Sequence, residues 1–147
     1  MTATTAIPAV GTPMPDLALQ APDGSSTMLR AETAGSRSVV LFMRAASCQI
    51  CLGHVASLER LDVDARAVVV VPGDAAAAAS VASRTGSGVR VLASGDAHAA
   101  AGLGTFLTIQ HSGTFVLDES GTVLAVRTAT IPTGAFNAAE VVAALSS

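Results

Sequence analysis

The sequence predicts an α/β protein with a central mixed β-sheet flanked by helices and a β-hairpin near the N-terminus. Three observations support this class. Short apolar runs rich in valine, typical of strands buried on both faces, recur along the chain. Segments with helical spacing or a high alanine content separate these runs. Two turn sequences, one with Asp-Gly and one with Asp-Glu-Ser-Gly, mark hairpins.

The N-terminal part is expected to be irregular and then to form the hairpin. Residues 1–15 contain three prolines and predict an irregular lead-in. LALQ at 17–20 and STML at 26–29 flank Pro22-Asp23-Gly24, a turn sequence between two short strands.

A buried strand followed by an amphipathic helix is expected next. SVVLFM at 38–43 is a nearly unbroken apolar run that includes two β-branched valines, which predicts a strand covered on both faces. A helix is expected from about Cys48 to Leu61, with Ser47 as its N-cap. Its apolar stripe has spacings of four, three and three, and consists of Cys51, Val55, Leu58 and Leu61.

The second half continues the alternation and ends with a hairpin and a helix. The expected elements are a strand at 67–71, a helix at 75–84 capped by Asp74 and ended by Gly86, a strand at 89–93, a short helix from Asp96, strands at 114–117 and 123–127, and a helix at 136–145. Strands separated by helices imply right-handed crossovers. This order of elements is that of a thioredoxin-like domain.

Size, charge and composition argue against several classes of function. With 147 residues, the chain is expected to form one domain over 1–147. Its net charge is −3, and all eight basic residues are scattered arginines, which argues against nucleic-acid binding. The absence of lysine excludes a P-loop lysine and a Schiff base. No GxGxxG follows a strand, so no nicotinamide or flavin cofactor is expected.

The N-terminal segment predicts a cytoplasmic protein. It has neither the positive region nor the apolar region of a secretory signal, and no stretch reaches the ~18 apolar residues of a membrane span. In the reducing cytoplasm, a CxxC pair is more often catalytic or metal-binding than a permanent crosslink.

The two cysteines of the chain, in SCQIC at 47–51, are expected at the junction of a strand and a helix. Free N–H groups and the helix dipole favour a thiolate there, and cysteine pKa values fall from ~8.5 to between ~3.5 and ~7.5 at such places. Arg44 can add a full positive charge. Because positions i and i+3 share a helix face, Cys51 can form a disulfide with Cys48. The spacing therefore predicts a redox couple.

Two other interpretations of the cysteines stay open. They can be small buried hydrophobic side chains of the helix. They can also be part of a metal site, although such a site needs about four ligands and only the histidines at 54, 98 and 111 could complete it. Leu52 after Cys51 excludes the haem-attachment motif CxxCH.

Three stretches resemble a known family. VVLFMRAASCQICLGHVASLERL is similar to the FYRGxWCPxC segment of the peroxiredoxin-like branch of the thioredoxin-like superfamily, the alkyl hydroperoxide reductase/thiol-specific antioxidant group. Phe42, Arg44, Cys48 and Cys51 fall on matching positions. Residues 10–30 and 112–127 resemble the family's G-x-x-A-P-D-F-x-L and R-x-TFVID-x-DG segments. The resemblance implies a thioredoxin-like fold and thiol-based reduction of peroxides or disulfides.

The sequence departs from this family at positions close to the expected site. Aligned on Cys51, the pattern P-x-x-x-T-x-x-C has Arg44 in place of proline and Cys48 in place of threonine, so the hydroxyl that orients a peroxide is missing. Ser112 replaces an arginine, and Gly113 stands where thioredoxins have a cis-proline. His111, Ser112 and Gly113 are therefore candidates for a substrate loop, with His111 either a proton shuttle or an ordinary surface histidine.

The sequence thus predicts a thiol–disulfide oxidoreductase, either an antioxidant peroxidase or a disulfide reductase. Dithiol chemistry makes Cys48 the attacking thiol, and the peroxiredoxin alignment makes it Cys51; we favour Cys48 because a helix start offers access and positive potential. The expected partners are a peroxide or disulfide and an external thiol reductant, thioredoxin-like or of low molecular weight. Many relatives form homodimers. A redox-inert sensor or binding domain is the alternative.

Overall fold

The computed structural model describes residues 7–61, 63–86, 88–95, 98, 101, 103, 105–106, 109–110, 112–129 and 134–146. The strands are β1 Ala18–Gln20, β2 Ser26–Met28, β3 Ser38–Phe42, β4 Arg66–Val71, β5 Val89–Ala93, β6 Thr105–Phe106, β7 Ile109–Gln110, β8 Ser112–Leu117 and β9 Val123–Ala129. The helices are α1 Leu29–Thr33, α2 Gln49–Glu59, α3 Ala75–Ala82 and α4 Ala138–Leu145. Within these ranges, every helix falls short of the length and apolar character that crossing a bilayer requires.

Seven strands form one mixed sheet in the order β2-β1-β5-β4-β3-β8-β9. β3, β4 and β5 are parallel, and the other neighbours in the sheet are antiparallel. β6 and β7 form a separate two-stranded ribbon. The mixed sheet, the N-terminal hairpin β1–β2 and the thioredoxin-like order are confirmed.

The central strands have two apolar faces because successive side chains alternate. One face, which we call the cysteine face, carries Val39, Leu41 and Met43 of the β3 segment and packs against α2, α3 and α4. The opposite face carries Val40 and Phe42 and is covered by the N-terminal segment, α1 and residues 101 and 103. Two successive right-handed crossovers in the same direction, β3–α2–β4 and β4–α3–β5, place α2 and α3 on one face.

Several helix ends differ from the prediction. Cys48, rather than Ser47, is the N-cap of α2, because the Cys48 sulfur accepts the hydrogen bond that a serine hydroxyl usually takes. α3 has the predicted Asp74 cap but ends at Ala82, where the chain leaves the helix through a bond from Arg84 N–H to the Val81 carbonyl. Gly86 lies beyond that end.

Some elements were not predicted, and one prediction cannot be compared. α1 has five residues and the β6–β7 ribbon two residues per strand, which is too short for a periodic signal. The short helix expected from Asp96 begins outside the described residues.

The contact between β8 and β9 requires a glycine at position 113. A Cβ atom there would lie 2.7 Å from the Arg127 carbonyl oxygen and 3.3 Å from Thr128 Cα. Both are backbone atoms of the paired strand, so the strands would have to separate. We expect Gly113→Ala to lower the free energy of unfolding by about 1–3 kcal/mol, the usual effect of overpacking, as measured by urea denaturation.

Gly53 in α2 provides the matched control. A Cβ there meets nothing within 4 Å, and the residue is exposed. Alanine is the better helix former by about 1 kcal/mol, so Gly53→Ala should raise the unfolding free energy. Equal effects of the two substitutions would contradict the close approach at Gly113.

Candidate active site

The two cysteines lie where the central strand β3 passes into helix α2. After β3 the chain turns through residues 43–47, with Cys48 N–H bonded to the Ala45 carbonyl at 3.1 Å. Leu52 N–H then bonds to the Cys48 carbonyl at 3.0 Å, the first full turn of α2. Cys48 therefore occupies the helix start, where unpaired N–H groups and the helix dipole favour negative charge. Both cysteines are free thiols.

The two sulfurs accept different hydrogen bonds. Cys51 N–H donates to Cys48 Sγ at 3.2 Å, so the helix start is capped by the sulfur itself. Arg44 N–H donates to Cys51 Sγ at 3.4 Å. Each sulfur is thus fixed by a backbone N–H, and the two residues are in direct contact.

The surroundings separate the pKa values of the two thiols. Burial alone would raise the pKa of Cys48, but hydrogen bonds from the Cys51 thiol and backbone, together with the Arg44 guanidinium, lower it overall. Burial, the hydrogen bond to Cys48 and the charge of its thiolate raise the pKa of Cys51 to about 12, although the Arg44 N–H bond opposes this. Of the two thiols, Cys48 therefore ionises first, and Cys51 keeps its proton when Cys48 becomes a thiolate.

Exposure does not distinguish the two thiols in the way expected. Cys48 is 4% exposed and Cys51 2% exposed, so the greater access predicted for Cys48 is a small difference. Ile50, between them in the sequence, is 45% exposed. The two thiols therefore differ clearly in pKa and only slightly in exposure.

Arg44 is half-buried, and its guanidinium acts on Cys48 both as a hydrogen-bond donor and as a charge. Its Nε is buried and has no hydrogen-bond partner among the described residues. The Arg44 guanidinium therefore lowers the pKa of Cys48 and also keeps one N–H donor, on Nε, without a partner among the described residues.

We expect Arg44→Gln to raise the pKa of Cys48, because the substitution removes the positive charge that favours the thiolate. The profile of the Cys48 reaction rate with iodoacetamide against pH should therefore shift to higher pH, so that alkylation near neutral pH is several-fold slower. Arg60→Gln, at the exposed C-terminal end of α2, is the matched control and should leave the profile unchanged; an unchanged profile in Arg44→Gln would contradict the role of Arg44.

The predicted substrate-loop residues lie partly in a strand. Ser112 and Gly113 are the first residues of β8, and Gly113 pairs with Phe42 of β3. The next position in this register places Ser112 beside Met43. Val116 of the same strand packs on the cysteine face, so Ser112, four residues away, faces that side too. His111 lies outside the described residues.

Ser112 is 1% exposed, and its hydroxyl has no hydrogen-bond partner in the described part of the chain. A buried hydroxyl without a partner is costly, by roughly 1–3 kcal/mol, so such groups call for an explanation. Ser112 and Arg44 thus leave two unused polar groups near the end of β3.

His54 and His98, two of the histidines considered as metal ligands, lie on opposite sides of the sheet. His54 packs against Phe136 with ring centroids 5.6 Å apart, and burial lowers its pKa. His98 contacts Phe42 on the opposite face of the sheet. In the described ranges, no three histidine, cysteine or acidic side chains converge as a metal site would require.

Sequence reasoning considered His98 only as one of three possible metal ligands and did not predict its place beside the β3 segment. It stands in an alanine-rich stretch, AHAAAG, with no periodic pattern to indicate its surroundings. It is 2% exposed, and its Nε2 lies 2.8 Å from the Met43 carbonyl oxygen, one residue before Arg44. Only the fold brings residue 98 next to residue 43.

This fold, with paired thiols at the start of the helix after the central strand, is that of the thiol-dependent oxidoreductases of the thioredoxin-like superfamily. The Redoxin family pattern matches residues 9–145, and the chain belongs to the Redoxin family. The resemblance to the peroxiredoxin-like branch is thereby confirmed. No significant match is found among curated protein sequences.

Solved structures share the fold at low sequence identity. A peroxiredoxin-like protein from Aquifex aeolicus superposes with a TM-score of 0.80 at 17% identity, covering 99% of this chain and 90% of that one. A thiol peroxidase from Chromobacterium violaceum gives 0.81 at 12% identity with the same coverage. Peroxidoxin BcpB from Mycobacterium tuberculosis gives 0.70 at 21% identity, covering 95% of each chain.

Proposed function

We propose that the protein is a two-cysteine thiol peroxidase in which Cys48 attacks the peroxide and Cys51 resolves the product. The observation that carries this assignment is the asymmetry of the pair. The pKa of Cys48 is lowered by its hydrogen bonds and by Arg44, whereas that of Cys51 is raised to about 12. The thiolate is the nucleophile, so the order of attack follows from which sulfur ionises.

The reaction balances with these two sulfurs and one external donor. The Cys48 thiolate attacks the terminal peroxide oxygen, the O–O bond breaks, and the departing oxygen takes a proton to leave as alcohol or water. Cys48 is now a sulfenic acid. The Cys51 sulfur, giving up its proton, attacks Cys48, and the S–O bond breaks with loss of water. An external donor, either one dithiol or two molecules of a monothiol, then reduces the disulfide by exchange and supplies two electrons.

The unused polar groups support a peroxide as substrate. Arg44 Nε and Ser112 Oγ are both buried without partners among the described residues, and both are near the end of β3. A guanidinium and a hydroxyl suit the two oxygens of a hydroperoxide and the charge that develops on the leaving one. We assign them the role of orienting the peroxide, which a threonine hydroxyl has in the family pattern.

The electron donor must be external, because both cysteines of the chain are used in the cycle. A low-molecular-weight thiol or a thioredoxin-like protein meets this requirement, and a reducing compartment such as the cytoplasm would supply it. A homodimer, as the family resemblance implies, is part of the proposal.

Two assays test the function. Hydrogen peroxide consumption with dithiothreitol is measured beside insulin reduction, with the Cys48→Ser/Cys51→Ser double variant as the blank for the reagent. We expect peroxide consumption clearly above the blank and weaker insulin reduction. Insulin reduction without peroxide consumption would instead identify a disulfide reductase. Activity equal to the blank in both assays would favour the redox-inert domain.

A further inference from the structure

His98 is held in one orientation on the face of the sheet opposite the cysteines. Its ring meets Phe42 edge-on, with centroids 5.0 Å apart and planes at 88°. Its Nε2 lies 2.8 Å from the Met43 carbonyl oxygen. Because a carbonyl can only accept, Nε2 carries the proton. Burial lowers the pKa of His98 to about 4, so the ring is neutral near pH 7 and Nδ1 is unprotonated.

The carbonyl that His98 contacts belongs to the peptide group that also contacts Cys51. The Met43–Arg44 peptide accepts from His98 through its C=O and donates to Cys51 Sγ at 3.4 Å through its N–H. A trans peptide is planar, with C=O and N–H pointing in opposite directions. A bond that fixes one end therefore fixes the direction of the other.

We propose that His98 is a positioning residue for Cys51: from the opposite face of the sheet, it orients the Met43–Arg44 peptide so that its N–H points at the Cys51 sulfur. The Met43 N–H is held separately, by the Val70 carbonyl at 2.9 Å. β3 itself ends at Phe42, so the ladder does not determine the direction of the next peptide group. His98 supplies that constraint.

The oriented N–H favours the ionised form of Cys51. It is a hydrogen bond to the sulfur that opposes the effects of burial and of Cys48, which both raise the Cys51 pKa. This matters for the step in which Cys51 loses its proton and attacks, and to that extent the inference rests on the proposed function. The orientation itself is independent of any substrate.

Alkylation of Cys51 in a Cys48→Ser background tests the inference. This background removes the titratable thiol that acts on Cys51 and leaves a single cysteine to follow. Iodoacetamide rates are measured at several pH values between about 7 and about 10, where the rate depends on the thiolate fraction and on the nucleophilicity of the thiolate. Loss of about one ordinary hydrogen bond lowers the thiolate fraction roughly three- to tenfold, and the greater nucleophilicity of the more basic thiolate offsets about half of this on a logarithmic scale. We therefore expect His98→Leu to slow alkylation roughly two- to threefold at each pH.

Two further variants separate positioning from general loosening. His98→Gln retains an N–H donor at a similar reach and should restore most of the rate. Phe115→Leu disturbs the same apolar cluster without touching the Met43–Arg44 peptide. General loosening of the cluster, as in Phe115→Leu, exposes Cys51 and speeds its alkylation. Loss of the oriented N–H, as in His98→Leu, slows it, so the two effects have opposite signs.

A rate in His98→Leu equal to or faster than that of the parent would overturn the inference, as would failure of His98→Gln to restore the rate. If His98→Leu does not fold, as judged by circular dichroism, His98→Asn takes its place, because its shorter amide cannot reach the Met43 carbonyl. The measurement uses no peroxide. Slowed alkylation in a protein without peroxidase activity would therefore refute the function and leave the role of His98 intact.

Discussion

Cys48→Ser is expected to reduce peroxide consumption to the level of the reagent blank, whereas Cys51→Ser is expected to retain part of the activity. The Cys48 sulfur accepts the Cys51 N–H at 3.2 Å and is stabilised as a thiolate by Arg44. A serine hydroxyl at this place stays protonated near neutral pH and has no comparable reactivity toward a peroxide. Initial rates with hydrogen peroxide and dithiothreitol measure the difference.

The residual activity of Cys51→Ser has a definite chemical origin. Without Cys51, the sulfenic acid on Cys48 persists until a small thiol reduces it directly. A sulfenic-acid trap such as dimedone should therefore label Cys51→Ser after peroxide treatment and should not label Cys48→Ser. The reverse pattern, with label and activity retained only in Cys48→Ser, would assign the attack to Cys51, as the peroxiredoxin alignment suggests.

The second large effect is a difference in thiol reactivity within the reduced protein. The pKa of Cys48 lies below that of an ordinary cysteine, and the pKa of Cys51 lies at about 12. Because the pKa of Cys48 is lowered from an ordinary value of 9.0, the thiolate fractions of the two cysteines at neutral pH differ by at least about a thousandfold. The Cys51 thiolate is more basic and therefore the better nucleophile. Its higher reactivity offsets about half of the difference in thiolate fraction on a logarithmic scale. Cys48 should therefore be alkylated at least about thirtyfold faster.

Mass spectrometry after brief treatment with iodoacetamide at neutral pH measures this selectivity. The peptide that contains both cysteines should carry one label, on Cys48. Labelling in denaturing urea should be equal at the two sites, which shows that the fold is responsible. Preferential labelling of Cys51, or equal labelling in the native protein, would contradict a pair in which Cys48 ionises before Cys51.

Much of this arrangement was predictable, because it depends on local patterns. The valine-rich runs at 67–71 and 89–93 gave strands close to those observed, since strands buried on both faces have an uninterrupted apolar signal. The spacing of the cysteines placed them on the first turn of α2. Asp74 was recognised as a helix cap because aspartate is a common N-cap.

The features that were missed depend on tertiary contacts. The cap of α2 was assigned to Ser47 by residue preference, but the turn after β3 brings the Cys48 sulfur to the Cys51 N–H. His98 is 55 positions from Met43, and no local rule relates them. Ser112 was expected in a loop, but its pairing with a neighbouring strand extends β8 to include it.

In the proposed function, the Cys48 sulfur is both the helix cap and the nucleophile, and folding is then linked to redox equilibrium. Formation of the proposed disulfide takes away the thiolate that the helix start and Arg44 favour. Any free energy by which the fold stabilises the dithiol relative to the disulfide makes the couple a stronger oxidant by the same amount, because the two steps belong to one thermodynamic cycle. We therefore expect the first turn of α2 to make the proposed couple a stronger electron acceptor than the same two cysteines would be in the unfolded chain.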